Sequence, residues 1–383
     1  MTIPTHPEIL QASQHLLTHY QQKYPEVSGT YFEDESWCSG FRLHAPGFRE
    51  NNGPLFLHHN RPVTNVVVLI HGLSDSPYYM KNIATFLYRK GFNVVLPLLS
   101  GHGLKEPNLA MKDDHLAEHW TADVDAAIHV ARMLGQQISM GGLSTGATLS
   151  VNAALRQPDS INGGLLLFSA ALDIGLRNEW LGKTLAWIHS GTQALREMLP
   201  SIEIRDTGTA TKPLTQLVRN PMAKWLGKTD IPLEQLGLFA RNIMKWVDGG
   251  YVGQGPNPYK YPTVSYHGSW QLIRLLMENE RLARNTKLLQ PVFAAHSMSD
   301  QTALLKGVIR LFSKLNGPSY LFLIEETPPV PHSCIVLEKS IRLHSEILPT
   351  MPEPTANPSF TDMMESAYGF FKACGIIPVN LAH

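Results

Sequence analysis

Cysteine is scarce in this chain: Cys38, Cys334 and Cys374 are the only three among 383 residues. An odd number of widely spaced thiols makes neither a disulfide framework nor a CxxC metal or redox pair. Long apolar runs are missing too, and no stretch approaches the roughly 18 residues a membrane-spanning helix needs. The start, Met1-Thr-Ile-Pro-Thr-His6, lacks the basic residues and apolar run of a secretory signal. Net charge is also absent. Lys+Arg and Asp+Glu each number 32, so no long-range field draws the chain to nucleic acid or an anionic membrane surface. The expectation is a cytoplasmic protein with no transmembrane segment and no nucleic-acid partner. Its oligomeric state is not set by these features.

What is present is a core. Apolar residues make up 43% of the chain, close to the globular average. The length exceeds that of one ordinary core, so a large domain with an insertion, or two domains, is expected.

The apolar pattern gives the organisation. Residues 7–22 read as an amphipathic helix with Ile9, Leu10, Leu16, Leu17 and Tyr20 on one broad face. Residues 41–44 and 54–59 read as short antiparallel strands opening a sheet. Then Val66-Val-Val-Leu-Ile70 is a continuous apolar run, the mark of a strand buried on both faces. A helix follows at 78–90, a strand at 92–96, a helix at 115–134, a short weak strand at 138–142, a helix at 145–157 and a strand at 164–170. Alternating strands and helices imply a parallel sheet covered on both faces.

The alternation stops near Asp173 and resumes with strands at 291–295 and 320–324. Between them lie helical patches and five of the seven tryptophans: Trp180, Trp187, Trp225, Trp246 and Trp270. The expected division is a core, 1–172, with an N-terminal helical extension at 1–30; a mainly helical insertion, 173–287; and the rest of the core, 288–383. Residues 349–358, with four prolines, read as a surface loop.

Gly142-Leu-Ser144-Thr-Gly146 matches G-x-S-x-G. Alone the match is weak, because at ordinary glycine and serine usage about one chain in ten of this length holds it by chance. Its context is what counts: a strand precedes it and a helix follows. A serine on so sharp a turn sits in strained backbone, and larger residues in place of the glycines would collide with neighbouring chain. The bland alternative is a Gly/Ser turn with no chemistry.

His71-Gly72-Leu73 follows the buried strand 66–70, where backbone amides can stabilise an oxyanion. A serine nucleophile needs a base, and the base needs an orienting acid. Asp300 stands just past the strand 291–295. His332 stands in the loop after the strand 320–324. Both fall on the edge of a parallel sheet where ligands bind, in the order serine, acid, histidine. Asp173, Glu325 and Glu326 are alternative acids.

Taken together these pieces resemble the α/β-hydrolase superfamily, especially its carboxylesterase and monoacylglycerol-lipase-like members. The matching segments are 66–73; Gly91 to Pro97, leading to Gly101-His-Gly103; Trp120 with Asp123; 142–146; 291–300; and Pro331-His332. The resemblance implies an α/β-hydrolase fold, a mostly parallel central sheet flanked by helices. It implies a mainly helical cap inserted between the strand after the nucleophile helix and the strand bearing the acid. It further implies Ser144 as nucleophile, His332 as base, Asp300 as acid, and the Leu73 and Thr145 amides as oxyanion hole. The substrate would be a small carboxylic ester with an apolar acyl group, and no cofactor or metal is required. Activity would fall as pH drops through roughly 6.5, the reference histidine value. Leu143 stands where many relatives have histidine, and Ser297 where many have glycine. Within the cap, Trp180, Leu181, Leu185, Trp187 and Ile188 could line an acyl pocket or merely pack, and 249–261 reads as a mobile rim.

Two other readings stay open. His115-Leu-Ala-Glu118-His119 matches H-x-x-E-H, the inverted zinc-peptidase motif, with both histidines on one helix face. A zinc site also needs a third ligand from elsewhere. The other reading is a non-hydrolytic or non-catalytic relative on the same fold. His58 and His59 read as an exposed strand end rather than a ligand pair.

Overall fold

The computed structural model describes residues 6–34, 38–173, 257–262, 264–300, 302–325, 327–343 and 353–377. The apolar run expected at 66–70 lies in β4 (Val63–Ile70), and Val66 to Ile70 are fully buried. It pairs in parallel with β5 (Asn93–Leu96) and β6 (Gly135–Leu143). Parallel pairing continues through β7 (Leu165–Phe168), β8 (Val292–Ser297) and β9 (Ser319–Ile324). On the other side, β1 (Ser28–Glu33), β2 (Ser39–His44) and β3 (Leu55–Leu57) add antiparallel strands, giving the order β1-β2-β3-β5-β4-β6-β7-β8-β9. This mostly parallel sheet flanked by helices is the expected fold class.

Period-two alternation sorts the buried strand residues into two layers. Val66, Val68, Ile70, Leu165, Leu167 and Val292 join one apolar cluster, which includes residues of α1 (Pro7–Gln21), α3 (Leu116–Leu134) and α4 (Thr145–Arg156). Val67, Leu69, Leu166, Phe168 and Phe293 join the other, with α2 (Lys81–Arg89) and α7 (Phe360–Ala373). Trp120 of α3 is fully buried, and truncating a side chain of that size in a core costs about 3–5 kcal/mol.

Helix α5 (Tyr266–Leu282) packs against α3 and α4 in the same compact unit as the sheet, although its residues fall within the expected insertion. Residues 174–256, with Trp180, Leu181, Leu185, Trp187, Ile188, Trp225 and Trp246, lie outside the described residues. Helix α6 (Leu305–Phe312) follows β8.

Several expectations need correction. Leu10 of α1 is exposed; the buried face is Ile9, Ala12, Ser13, Leu16 and Tyr20, because α3 covers a narrower stripe. His58, just past β3, is buried, not exposed, since its ring packs beside those of Phe56 and Tyr31. The rim segment at 257–261 is bound to the core: the Tyr261 amide donates to the Ser74 carbonyl at 2.8 Å, and its hydroxyl donates to Gly101 O at 2.9 Å. Residues 249–256 lie outside the described residues. Among the described residues, no helix is long and apolar enough to cross a membrane.

Candidate active site

Ser144 lies between the end of β6 and the start of α4, with φ 55° and ψ −114°. A non-glycine residue with such φ is strained and needs its surroundings to hold it. Here they do. The Ser144 amide donates to Phe168 O at 3.0 Å, and its carbonyl accepts from Ala147 and Thr148 amides at 3.0 and 3.2 Å. The flanking glycines are sterically forced: a Cβ on Gly146 would lie 2.0 Å from Ile70 O, and one on Gly142 would lie 2.5 Å from the same oxygen. Thr145, the first residue of α4, carries an amide that no intrahelical carbonyl takes.

The turn after β4 comes against this serine. A Cβ on Gly72 would meet Ser144 Cβ at 3.3 Å and Leu143 O at 3.4 Å. His71 pins the turn. Its Nε2 accepts from the Leu99 amide at 3.1 Å, so the proton sits on Nδ1, which donates to Gly72 O at 2.9 Å. Burial lowers its pKa to about 4, so the ring is neutral at pH 7.

The loop holding His71 is itself anchored. Asp123 of α3 is buried and accepts from the Ser100 amide at 2.7 Å and the Ser100 hydroxyl at 2.8 Å. Lys23 Nζ and His19 Nε2 reach its other oxygen at 2.5 and 2.8 Å. Burial would raise this carboxyl, but the His19 hydrogen bond and the Lys23 charge more than offset that and hold it below the usual range.

Asp300 and His332 meet across the ends of β8 and β9. His332 Nδ1 lies 2.6 Å from Asp300 Oδ2. The other carboxylate oxygen, Oδ1, accepts from the Thr302 and Ala303 amides at 2.8 and 3.1 Å. Burial opposes the charge on Asp300, yet the hydrogen bond and charge of His332, with these amides, keep its carboxyl below the ordinary range.

Two residues that sequence reasoning missed brace this pair. The Ser299 hydroxyl accepts from the Val330 amide at 3.1 Å and donates to Val330 O at 3.3 Å, joining the acid loop to the base loop. His296 Nε2 donates to Ala303 O at 3.1 Å, behind the amides that cradle Asp300. Both stand within the 291–300 segment that carries the resemblance, but their partners, Val330 O and Ala303 O, are backbone groups that the sequence does not mark.

The alternative acids are engaged elsewhere or lie apart. Asp173 is paired with Arg310 at 3.0 Å and Lys306 at 3.7 Å. Glu325 is exposed, and Glu326 lies outside the described residues. In the H-x-x-E-H segment, Glu118 is held by Arg274 and His119 Nδ1 faces Asp113 at 3.2 Å. His115 precedes α3, its amide donating to Asp113 Oδ1 at 2.8 Å. No group of three His, Cys, Asp or Glu side chains among the described residues converges as a metal site.

Known proteins resemble this chain in sequence and in fold. Residues 61–225 match a family described as serine aminopeptidase, S33. A thermostable monoacylglycerol lipase from Bacillus sp. (strain H-257) is 33% identical over 119 residues, which is 31% of this chain and 45% of that protein. The match thus spans less than half the length of that relative. A solved structure from work on two metagenome-derived lipolytic enzymes, LipS and LipT, superposes with TM-score 0.52 at 19% identity, covering 86% of this chain and 98% of that one. A soluble variant of monoglyceride lipase from Saccharomyces cerevisiae, bound to a substrate analogue, gives 0.51 at 14% identity, covering 90% and 94%.

Proposed function

We propose that this chain, which has the α/β-hydrolase fold, is a serine hydrolase that cleaves carboxylic esters through an acyl-enzyme on Ser144. The observation that carries the reading is the backbone of Ser144. Strained geometry at a serine, enforced by two glycines that tolerate no Cβ, makes sense where a hydroxyl must be presented at a sheet edge. The Asp300–His332 hydrogen bond and the close approach of the Gly72 turn to Ser144 also support it.

In this mechanism His332 takes the proton from the Ser144 hydroxyl as it attacks the ester carbonyl. Asp300 keeps the imidazole in the tautomer with the proton on Nδ1 and stabilises the cation that forms. The Leu73 and Thr145 amides receive the oxyanion, each such donor being worth roughly 3 kcal/mol of barrier. His332 then protonates the departing alcohol, and a water activated by the same ring releases the acid. The lipase relatives support a small ester with an apolar acyl group, of the monoacylglycerol kind, as substrate. The insertion at 173–287 is the proposed cap on its sequence position alone.

Activity-based labelling tests nucleophile and reaction class together. A fluorophosphonate adduct on Ser144, with p-nitrophenyl acyl esters turned over and Ser144→Ala at least about 10⁴-fold slower, is the expected result. An adduct elsewhere, or full turnover by Ser144→Ala, overturns the reading. Parallel assay of aminoacyl p-nitroanilides separates an esterase from a peptidase, and turnover undiminished by a strong chelator separates both from a zinc enzyme.

A further inference from the structure

A carboxylate is buried on the oxyanion side of the site. Asp75, three residues past Gly72, is only 3% exposed. A Cβ on Gly72 would lie 2.5 Å from Asp75 Oδ2 and 3.3 Å from Ser144 Cβ, so acid and serine both border the space that a Gly72 side chain would fill. Such a charge is out of place by the ordinary logic of an oxyanion hole, where negative charge develops during reaction. With an effective dielectric near 20, two unit charges about 6 Å apart repel enough to slow a reaction roughly 100-fold.

The compensating charge comes from far along the chain. Lys260 Nζ lies 2.8 Å from Asp75 Oδ1 and 5.6 Å from the centroid of the Tyr79 ring. Among the described residues it is the only cation paired with Asp75. Lys260 belongs to the segment just before α5. That segment is fastened to the turn after β4 by the Tyr261 amide on Ser74 O at 2.8 Å. Asn52 Nδ2 on Pro258 O, also at 2.8 Å, holds it as well. Tyr259 stacks on Tyr78 with centroids 3.4 Å apart.

We propose that Lys260 is a positioning residue whose ammonium neutralises Asp75 beside Ser144, so that the oxyanion side of the site is electrostatically complete only with the segment 257–261 in place. The proposal rests on Ser144 being the nucleophile and Leu73 supplying an oxyanion amide. The ion pair holds the turn without leaving a net anion beside the reacting carbonyl. Ester turnover thereby depends on a residue some 200 positions distant in sequence from the turn it serves.

Neutralising the charge at Lys260 supplies the test, on the full chain. Lys260→Met lowers kcat for p-nitrophenyl esters by about 10- to 100-fold with KM within about threefold. Lys260→Arg, which keeps the charge, stays within about fivefold of the parent. Removing the anion as well makes the lysine dispensable: Lys260→Met combined with Asp75→Asn matches Asp75→Asn alone within about threefold. A purely structural lysine predicts instead that the double variant falls at least tenfold below Asp75→Asn, and that outcome overturns the proposal. This last comparison needs no folded Lys260→Met protein. Fluorophosphonate labelling of Ser144 in the parent separates the two claims: a labelled serine with a failed double-variant comparison removes only the role of Lys260.

Discussion

His332 Nδ1 and Asp300 Oδ2 are 2.6 Å apart, while Asp173 is bound to Arg310 and Lys306. On the proposed mechanism the acid is Asp300, and substitution separates it from Asp173. Asp300→Asn keeps shape but offers an amide where a carboxylate held the ring, so kcat falls by about 10³- to 10⁴-fold. Asp173→Asn leaves kcat within about threefold, because its pairs with Arg310 and Lys306 on α6 are partly exposed. Steady-state kinetics on both variants decides it, and a large loss in Asp173→Asn with none in Asp300→Asn would reverse the assignment.

Buried neutral histidines make the fold sensitive to mild acid. Burial lowers His58 and His71 to about 4 and His102 to about 3. The unfolded chain binds these protons near the ordinary value of about 6.5. Between about pH 6.5 and 4 the unfolded state thus holds more protons than the native one, and stability falls as pH falls. Each such histidine contributes a slope of about 1.4 kcal/mol per pH unit within that window. Asp123 and Asp300, both held below the carboxylate range, act in the same direction only under about pH 4. Urea unfolding at pH 5, 6 and 7 should show the loss, and His58→Gln should flatten the slope by about one proton. A pH-independent unfolding free energy across that range would contradict the buried neutral state.

The fold was legible where apolar residues dominate, and obscure where glycine replaces them. The strand at 66–70 stood out because both its faces are buried. The next parallel strand, β6, runs from Gly135 to Leu143 but read as only a short, weak signal. The cause lies in its glycines: a Cβ on Gly141 would meet Leu166 O at 2.9 Å, and one on Gly135 would meet Val63 O at 2.4 Å. Close strand approach removed the very side chains that mark a strand. β1 escaped notice because it is an edge strand with exposed and half-buried residues and a glycine under the Phe41 ring. In the site, the serine, acid and histidine carried motif and order. Ser299, His296 and the Lys260–Asp75 pair act through backbone carbonyls and partners distant in sequence, which no local pattern encodes.

Lys23 joins α1 to α3 through Asp123, so the N-terminal helix is part of the scaffold behind His71. Lys23→Met leaves a buried carboxylate with only His19 and Ser100 to compensate it. Breaking one partner of a buried pair costs about 3–5 kcal/mol, and the lower end applies because Lys23 keeps partial contact with solvent. Thermal unfolding should show a clear drop. A variant as stable as the parent would mean that the Ser100 and His19 contacts suffice.

Two glycine-to-alanine substitutions should act in opposite directions. At Gly146 the new methyl lies 2.0 Å from Ile70 O and 2.6 Å from the Ile70 carbonyl carbon, both backbone atoms of the central strand. The strand cannot withdraw without breaking its pairing with β5 and β6, so Gly146→Ala yields little folded protein or displaces Ser144 and abolishes labelling. At Gly369, inside α7, nothing lies within 4 Å of the added methyl. Alanine there removes unfolded-state freedom and suits a helix interior, so Gly369→Ala should stabilise by about 0.5–1 kcal/mol with kcat unchanged. Denaturant unfolding of Gly369→Ala and soluble yield of Gly146→Ala measure the two effects. Equal behaviour of the two variants would mean that the tight turn at Ser144 is not enforced by its glycines.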